Sequence, residues 1–301
     1  TGQGPFLEDP TSAIFMIGND ELVLLLSTYG HVQVRQDEGG PKLLSDYHPS
    51  DSQFGGGLGY LVDADTGELL LTTRFVGSKA APQQHYQREY GVGYTRRTLS
   101  SALEADGTPA GLVMEQRLVV PFGSDPVVVS QTVLTNNSPK PLSLSYYEVW
   151  GASTYQLAYN KGGHTSADLD ARRVFQRSNY SASVKRMSDF YGVSCEQTYI
   201  GKHGVDTPPF SAPGATLWDE KPPLTFLVNA YEHDVTTDTG CSASAFFGSS
   251  EDGTHTADYL AASKPAFGLR CDSDGIDSGI GSATSDAALI LRRNVSLAVG
   301  E

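Results

Sequence analysis

The chain has 301 residues and a net charge of −14, from 35 acidic against 21 basic side chains, so its field repels polyphosphate and anionic lipid and argues against nucleic acid or a membrane surface as partner. A hydrophobic fraction of 39% with 32 glycines is the balance of a turn-rich globular protein, not of a disordered one. At about 100–200 residues per domain, the length allows two small domains or one large all-β unit.

The apolar run Leu22–Leu26 is the longest in the chain and fits a buried strand; it is far short of the roughly 20 residues a membrane helix needs. Gly55-Gly56-Gly57-Leu58-Gly59 lacks the following Lys-[Ser/Thr] and helix of a phosphate cradle and reads as a flexible loop. Gly59–Asp63 and Glu68–Phe75 are strands flanking the Asp-Ala-Asp-Thr-Gly turn. In YQREYGVGYTRRT (86–98), Gly91-Val92-Gly93 reads as a hinge at a sheet edge, with Tyr94 turned to the core and Tyr86 and Arg88 near the surface. Gly93–Leu103 then pairs across the Glu104–Ala110 turn with GLVMEQRLVVPF (111–122), where Leu112, Met114, Leu118 and Val120 recur with the period of two of a half-buried strand. Gly123-Ser124-Asp125-Pro126 turns the chain, and 127–136 and 142–150 follow, the three strands forming an antiparallel meander. Leu142, Leu144, Tyr146 and Trp150 share one face of the last. Residues 151–190 show little alternation and are expected to hold most of the helix. The Pro- and Gly-rich 200–223 segment is a surface excursion, after which strands resume at 224–231, 242–249 and 287–299. No internal repeat interrupts this pattern, so one large antiparallel two-sheet β-sandwich with minor helix fits all 301 residues as a single domain.

Cys195, Cys241 and Cys271 are too far apart to converge on zinc, so no metal site is expected. They read as buried small hydrophobes in a reducing compartment. Asn136, Asn179 and Asn294 head Asn-x-[Ser/Thr] triplets, which carry weight only in a secreted chain. The opening TGQGPFLEDP has no initiator Met, basic stretch or apolar stretch of a leader, and together with the Ala-Val-Gly-Glu ending suggests a segment of a longer protein. There is no Gly-x-Ser-x-Gly elbow, His-Glu-x-x-His or P-loop. Glu148, beside Trp150 near a strand end, is the most suggestive acid; the blander reading makes it a cross-strand partner for Arg or Lys.

In order and spacing, FLEDPTSAIFMIGNDELVLLLSTYGHV, DADTGELL, YQREYGVGYT and RLVVPFGSDPVVVSQTVLTNNSPKPLSLSYYEVWGA resemble the N-terminal β-sandwich of the inverting glycoside phosphorylases. These are the cellobiose and chitobiose phosphorylases of glycoside hydrolase family 94 and the β-1,3-glucan phosphorylases of family 149. Ile17-Gly18-Asn19, Thr66-Gly67-Glu68, Arg88–Thr95 and Glu148-Val149-Trp150 stand where those families carry their landmark phrases. Pro222–Phe226, Phe246-Phe247-Gly248 and Leu297–Glu301 continue the likeness to the end. Tyr29–Gln33 replaces the usual Gly-Gly-Gly-Tyr-Ser phrase and Arg88-Glu89-Tyr90-Gly91 the usual Arg-His-Gly, which leans toward the longer-glucan relatives.

The resemblance implies a galactose-mutarotase-like supersandwich that packs on a following (α/α)6 barrel, where the catalytic acid resides, and on a second subunit in a homodimer. It implies phosphorolysis of β-glucosidic bonds to α-glucose 1-phosphate in the cytoplasm, with inorganic phosphate as co-substrate and no other cofactor. The segment alone is then expected to be catalytically inactive, with no catalytic residue of its own. Tyr86, Arg88, Tyr94, Glu148 and Trp150 are its candidates for the rim of an oligosaccharide site. The alternative is a free-standing carbohydrate-binding or structural sandwich without catalysis.

Overall fold

A computed structural model describes residues 13–36, 42–45, 47–48, 53–74, 84–152, 155–156, 180–187, 191–199, 222–230, 237–247, 276–277 and 287–301. These residues form an all-β protein in which every strand pair is antiparallel.

The strands are distributed over four larger sheets and one hairpin. The first sheet runs β1 (Ile14–Gly18), β2 (Leu22–Ser27), β3 (Val32–Gln36), β4 (Lys42–Ser45) and β14 (Tyr155–Gln156). The second runs β12 (Val129–Asn136), β11 (Pro109–Val119), β10 (Tyr94–Leu103) and β9 (His85–Gly91). The third runs β18 (Thr237–Ser242), β20 (Ala287–Leu297), β13 (Leu142–Gly151), β7 (Leu58–Asp63) and β8 (Leu69–Thr72). The fourth runs β17 (Thr225–Val228), β16 (Gly192–Tyr199), β15 (Tyr180–Arg186) and β19 (Ile276–Asp277), and β5 (Tyr47–His48) pairs with β6 (Gln53–Phe54).

Local chemistry explains the turns. Asp63 Oδ1 accepts from the Asp65 and Thr66 amides at 3.0 and 2.8 Å, an Asx turn that ends β7. Val92-Gly93 makes a two-residue hairpin between β9 and β10, Gly93 taking φ +76°, so the Gly-Val-Gly stretch is a tight turn and not a hinge. Alternation holds over β11, where Leu112, Met114, Gln116 and Leu118 are buried.

The third strand of the expected meander departs from it. β11 pairs with β12, but β13 pairs with β7 and β20 in the third sheet. The crossing is held by Asn136, which is fully buried. Its Nδ2 donates to the carbonyls of Lys140, Leu297 and Ala298 at 2.8, 3.4 and 3.1 Å. A core cluster of Leu61, Leu71, Leu99, Leu112, Met114, Leu144 and Leu297 draws on the second and third sheets together. A second cluster joins β2, β3, β15, β16 and β20 through residues such as Leu24, Val32, Val184, Val193 and Leu289.

One further expectation needs correction. Residues 243–247 form a short helix, α1 (Ala243–Phe247), where a strand over 242–249 was expected; Phe246 and Phe247 cover the outer face of the third sheet against Tyr60 and Tyr147, which a strand's opposite-facing neighbours could not do together. The helix expected within 151–190 falls mostly outside the described residues, which include only 151–152, 155–156 and 180–187 of that range, as does most of the 200–223 excursion. Cys195 is a buried free thiol as expected, whereas Cys241, equally buried, is disulfide-bonded.

Candidate functional site

The inner face of β13 presents Tyr146, Glu148 and Trp150 to the second sheet, because the period of two places them on one side. Glu148 is 7% exposed. Its register neighbours are Leu291 and Gly59, so it is no cross-strand partner of a basic residue. Its oxygens instead accept from Trp150 Nε1 at 2.9 Å, from Gln116 Nε2 at 3.1 Å and from the Tyr146 hydroxyl in a short bond. Burial pushes the Glu148 carboxyl above its ordinary value, against the opposing effect of these hydrogen bonds, that from Tyr146 foremost. Burial and then the neighbouring Glu148 push the Tyr146 phenol well above its own.

Gln116 turns its other end to Arg97, whose NH1 donates to Gln116 Oε1 at 3.2 Å, to Gly57 O at 3.0 Å and to Gly30 O at 2.8 Å. Arg97 is 2% exposed. A buried cation and a buried anion are thus joined through one amide, which supplies a donor to the acid and an acceptor to the base.

The glycine-rich 55–59 stretch is what allows the approach. It is neither a flexible loop nor a phosphate cradle. Gly56 exchanges backbone hydrogen bonds with Val32 at 2.7 and 2.9 Å. A Cβ on Gly56 would lie 2.2 Å from the Trp150 ring. Gly55 and Gly57 take φ +70° and +64°, and Thr73 Oγ1 bonds Gly59 N at 2.7 Å, so the segment is pinned from both sides.

The hairpin residues divide between the two faces of their sheet. Tyr86 and Arg88 oppose Leu99 and Arg97 on the inner face. The Tyr86 hydroxyl is buried, and burial raises its pKa, so Tyr86 is not the surface residue expected from its place beside the turn. Arg88 is exposed and donates from NH1 to Thr28 O at 2.5 Å. Tyr94 faces outward instead of into the core. Its hydroxyl donates to Glu89 at 2.5 Å, and Arg117 lies over its ring at 4.9 Å. The Tyr94 bond and then Arg96 hold the Glu89 carboxyl below its ordinary value.

The structure therefore brings Glu148 and Trp150 together with Tyr146, places Tyr86 and Arg88 on the same inner side, and separates Tyr94 from all of them. Arg97 links the two inner groups and was missed in the sequence, as was Gln116. The signal was present: each is a long polar side chain at an inward position of an alternating strand, between Thr95 and Leu99 in one case and Met114 and Leu118 in the other. With three donors on a buried carboxylate, the cluster holds two sheets in register and offers no free acid to a substrate. Among the described residues, no group of three or more His, Cys, Asp or Glu side chains is placed to hold a metal ion. No protein-family profile matches the chain, and no curated protein matches it.

Proposed function

We propose that the chain is the N-terminal sandwich of an inverting glycoside phosphorylase acting on β-1,3-glucans or related β-oligoglucosides, serving to pack a following (α/α)6 barrel, to dimerise and to form the rim of the sugar site. The finer architecture belongs to the same reading: a two-sheet supersandwich in which the sheet β9–β12 is layered on the sheet of β7, β8, β13, β18 and β20. The cluster shared by those two sheets supports it.

The observation that carries the reading is where the ordered phrases fall. Asn19, of Ile17-Gly18-Asn19, donates from Nδ2 to Pro121 O and Asp125 O at 3.0 and 2.9 Å, tying the first phrase to the Val-Pro turn of a later one. Glu148 accepts from Gln116 of the second sheet at 3.1 Å and from Trp150 beside it at 2.9 Å. Glu301 O accepts from the Asn136 amide at 2.7 Å, and Asn136 O from the Gly300 amide at 2.8 Å, tying the last phrase to the β12–β13 crossing. Phrases that recur in one order and hold the framework together are what a scaffold domain would keep, with catalysis supplied elsewhere.

The test is phosphate-dependent release of α-glucose 1-phosphate from laminari- and cello-oligosaccharides by the protein from its source, with its intact mass. We expect activity in a chain more than twice as long as the present 301 residues and none in these residues alone. A source protein ending at Glu301, with micromolar affinity for glucans, would replace this reading with a free-standing binding module. The reading places the enzyme in the cytoplasm; the disulfide at Cys241 weighs the other way, because disulfides persist in oxidising compartments.

A further inference from the structure

We propose that Asn294, on the exposed end of β20, is a site of N-linked glycosylation. Asn136, Asn179 and Asn294 head Asn-x-[Ser/Thr] triplets, and such a triplet marks an acceptor only on the surface of a secreted protein. Asn179 lies outside the described residues. The fold separates the other two.

Asn136 is fully buried, and both ends of its amide are committed. Nδ2 donates to the carbonyls of Lys140, Leu297 and Ala298, while Oδ1 accepts from the amide and the hydroxyl of Ser138 at 3.0 and 2.6 Å. A sugar on Nδ2 would take the place of one of its protons and force a bulky polar group into the crossing from β12 to β13, so a chain glycosylated there could not close this fold.

Asn294 is placed the opposite way. Asn294 and Ser296 are both exposed on one side of β20, and Val295 between them turns to the cluster shared with the second sheet, as the period of two requires. Their register partners on β13 are Ser145 and Ser143, small side chains that leave room for a carrier. Asn294 Oδ1 accepts from Ser145 Oγ at 2.8 Å, and Nδ2, the atom that takes the sugar, is outside that bond.

The co-reactant is an oligosaccharide joined through its C1 to a polyprenyl diphosphate. Nδ2 attacks C1 and the C–N bond forms. The C1–O bond breaks with its electron pair on the diphosphate, and one Nδ2 proton passes to a base of the transferring enzyme. Oδ1 is untouched, so the Ser145 bond survives in the product. A second, independent observation points to the compartment where this donor is met: Cys241 is disulfide-bonded, and such bonds form and persist in the secretory pathway but are rare in the cytosol. The inference goes beyond the phosphorylase reading and departs from its cytoplasmic setting.

The test treats the protein isolated from its source with peptide-N-glycosidase in heavy-oxygen water, which turns each carrying asparagine into a labelled aspartate. The intact chain is expected to lose mass, with the label at Asn294 and not at Asn136. Ser296→Ala, an exposed substitution made in the same source, should abolish the glycan, and Ser296→Thr, which keeps the hydroxyl, should retain it, both with an unchanged circular dichroism spectrum. An unlabelled Asn294 in the native protein, a label at Asn136, or a glycan that persists in Ser296→Ala would overturn the assignment. Phosphorolysis enters none of these readouts, so the two readings fail separately.

Discussion

A carboxylate without water is a net cost unless its lone pairs are filled, and at Glu148 they are filled by an indole, an amide and a phenol. None of the three is a cation, so the nearest opposite charge, Arg97, acts through Gln116. Replacing Glu148 by Gln would set an NH2 group among three donors. A loss of about 1–3 kcal/mol in unfolding free energy near neutral pH is expected, the usual cost of leaving a buried polar group unsatisfied. The pH dependence has a definite sign. Because the folded-state pKa of Glu148 is raised above its ordinary 4.5, the folded protein binds this proton more readily than the unfolded chain. The group's contribution to stability therefore grows as pH falls through the raised value and is complete below 4.5. Glu89 and Asp63, whose pKa values are lowered, act in the opposite sense, but they are common to both proteins and cancel. The gap in melting temperature between the parent chain and Glu148→Gln should thus widen on acidification from neutral pH. A gap that closes would mean that Glu148 is not held by burial.

At the scale of the elements, glycine decides how closely one segment approaches another. Gly56 lies under the Trp150 ring, and an added Cβ would sit 2.2 Å from it. Gly67 ends a turn at φ +70° with nothing within 4 Å. Gly56→Ala should cost about 3 kcal/mol, the upper end of the range for overpacking, and Gly67→Ala roughly 1 kcal/mol for the left-handed backbone alone. Parallel urea titrations measure both, and equal losses would show that the Gly56 contact yields easily. This contrast also marks what could be read from the sequence. Period-two alternation located β10, β11 and β12, since a half-buried strand writes its faces into its own residues. Alternation carries no information on which sheet a strand joins, so the passage of β13 to a different sheet was not visible. The side on which Tyr94 falls is settled by the two-residue hairpin register, which the glycines permit but do not state. Gly55–Gly59 read as flexible because its fixing partners, Val32, Thr73 and Trp150, are distant in sequence. Glu148 stands out in the sequence only by its place beside Trp150; its three donors come from two sheets, and only the fold brings Gln116 to it.

For the whole molecule, the cysteines bear on where the chain can live. Cys195 lies in the cluster that joins all four larger sheets, and burial pushes its thiol up to about 12. It has neither thiolate character nor exposure, and a native protein should be inert to thiol reagents. Cys241 belongs to the same cluster and is held in a disulfide. Such a bond restrains the unfolded chain, and losing it typically costs about 2–4 kcal/mol. The two states are separated by counting thiols. The chain isolated without reductant should show no reactive thiol when native, one in denaturant, and three in denaturant after reduction, matching its three cysteines. Reduction should lower the melting temperature by an amount that Cys241→Ala reproduces. Three reactive thiols in denaturant alone, with no effect of reductant on melting, would mean that the protein matures with its cysteines reduced; that outcome would favour the cytoplasmic setting of a phosphorylase over an oxidising compartment.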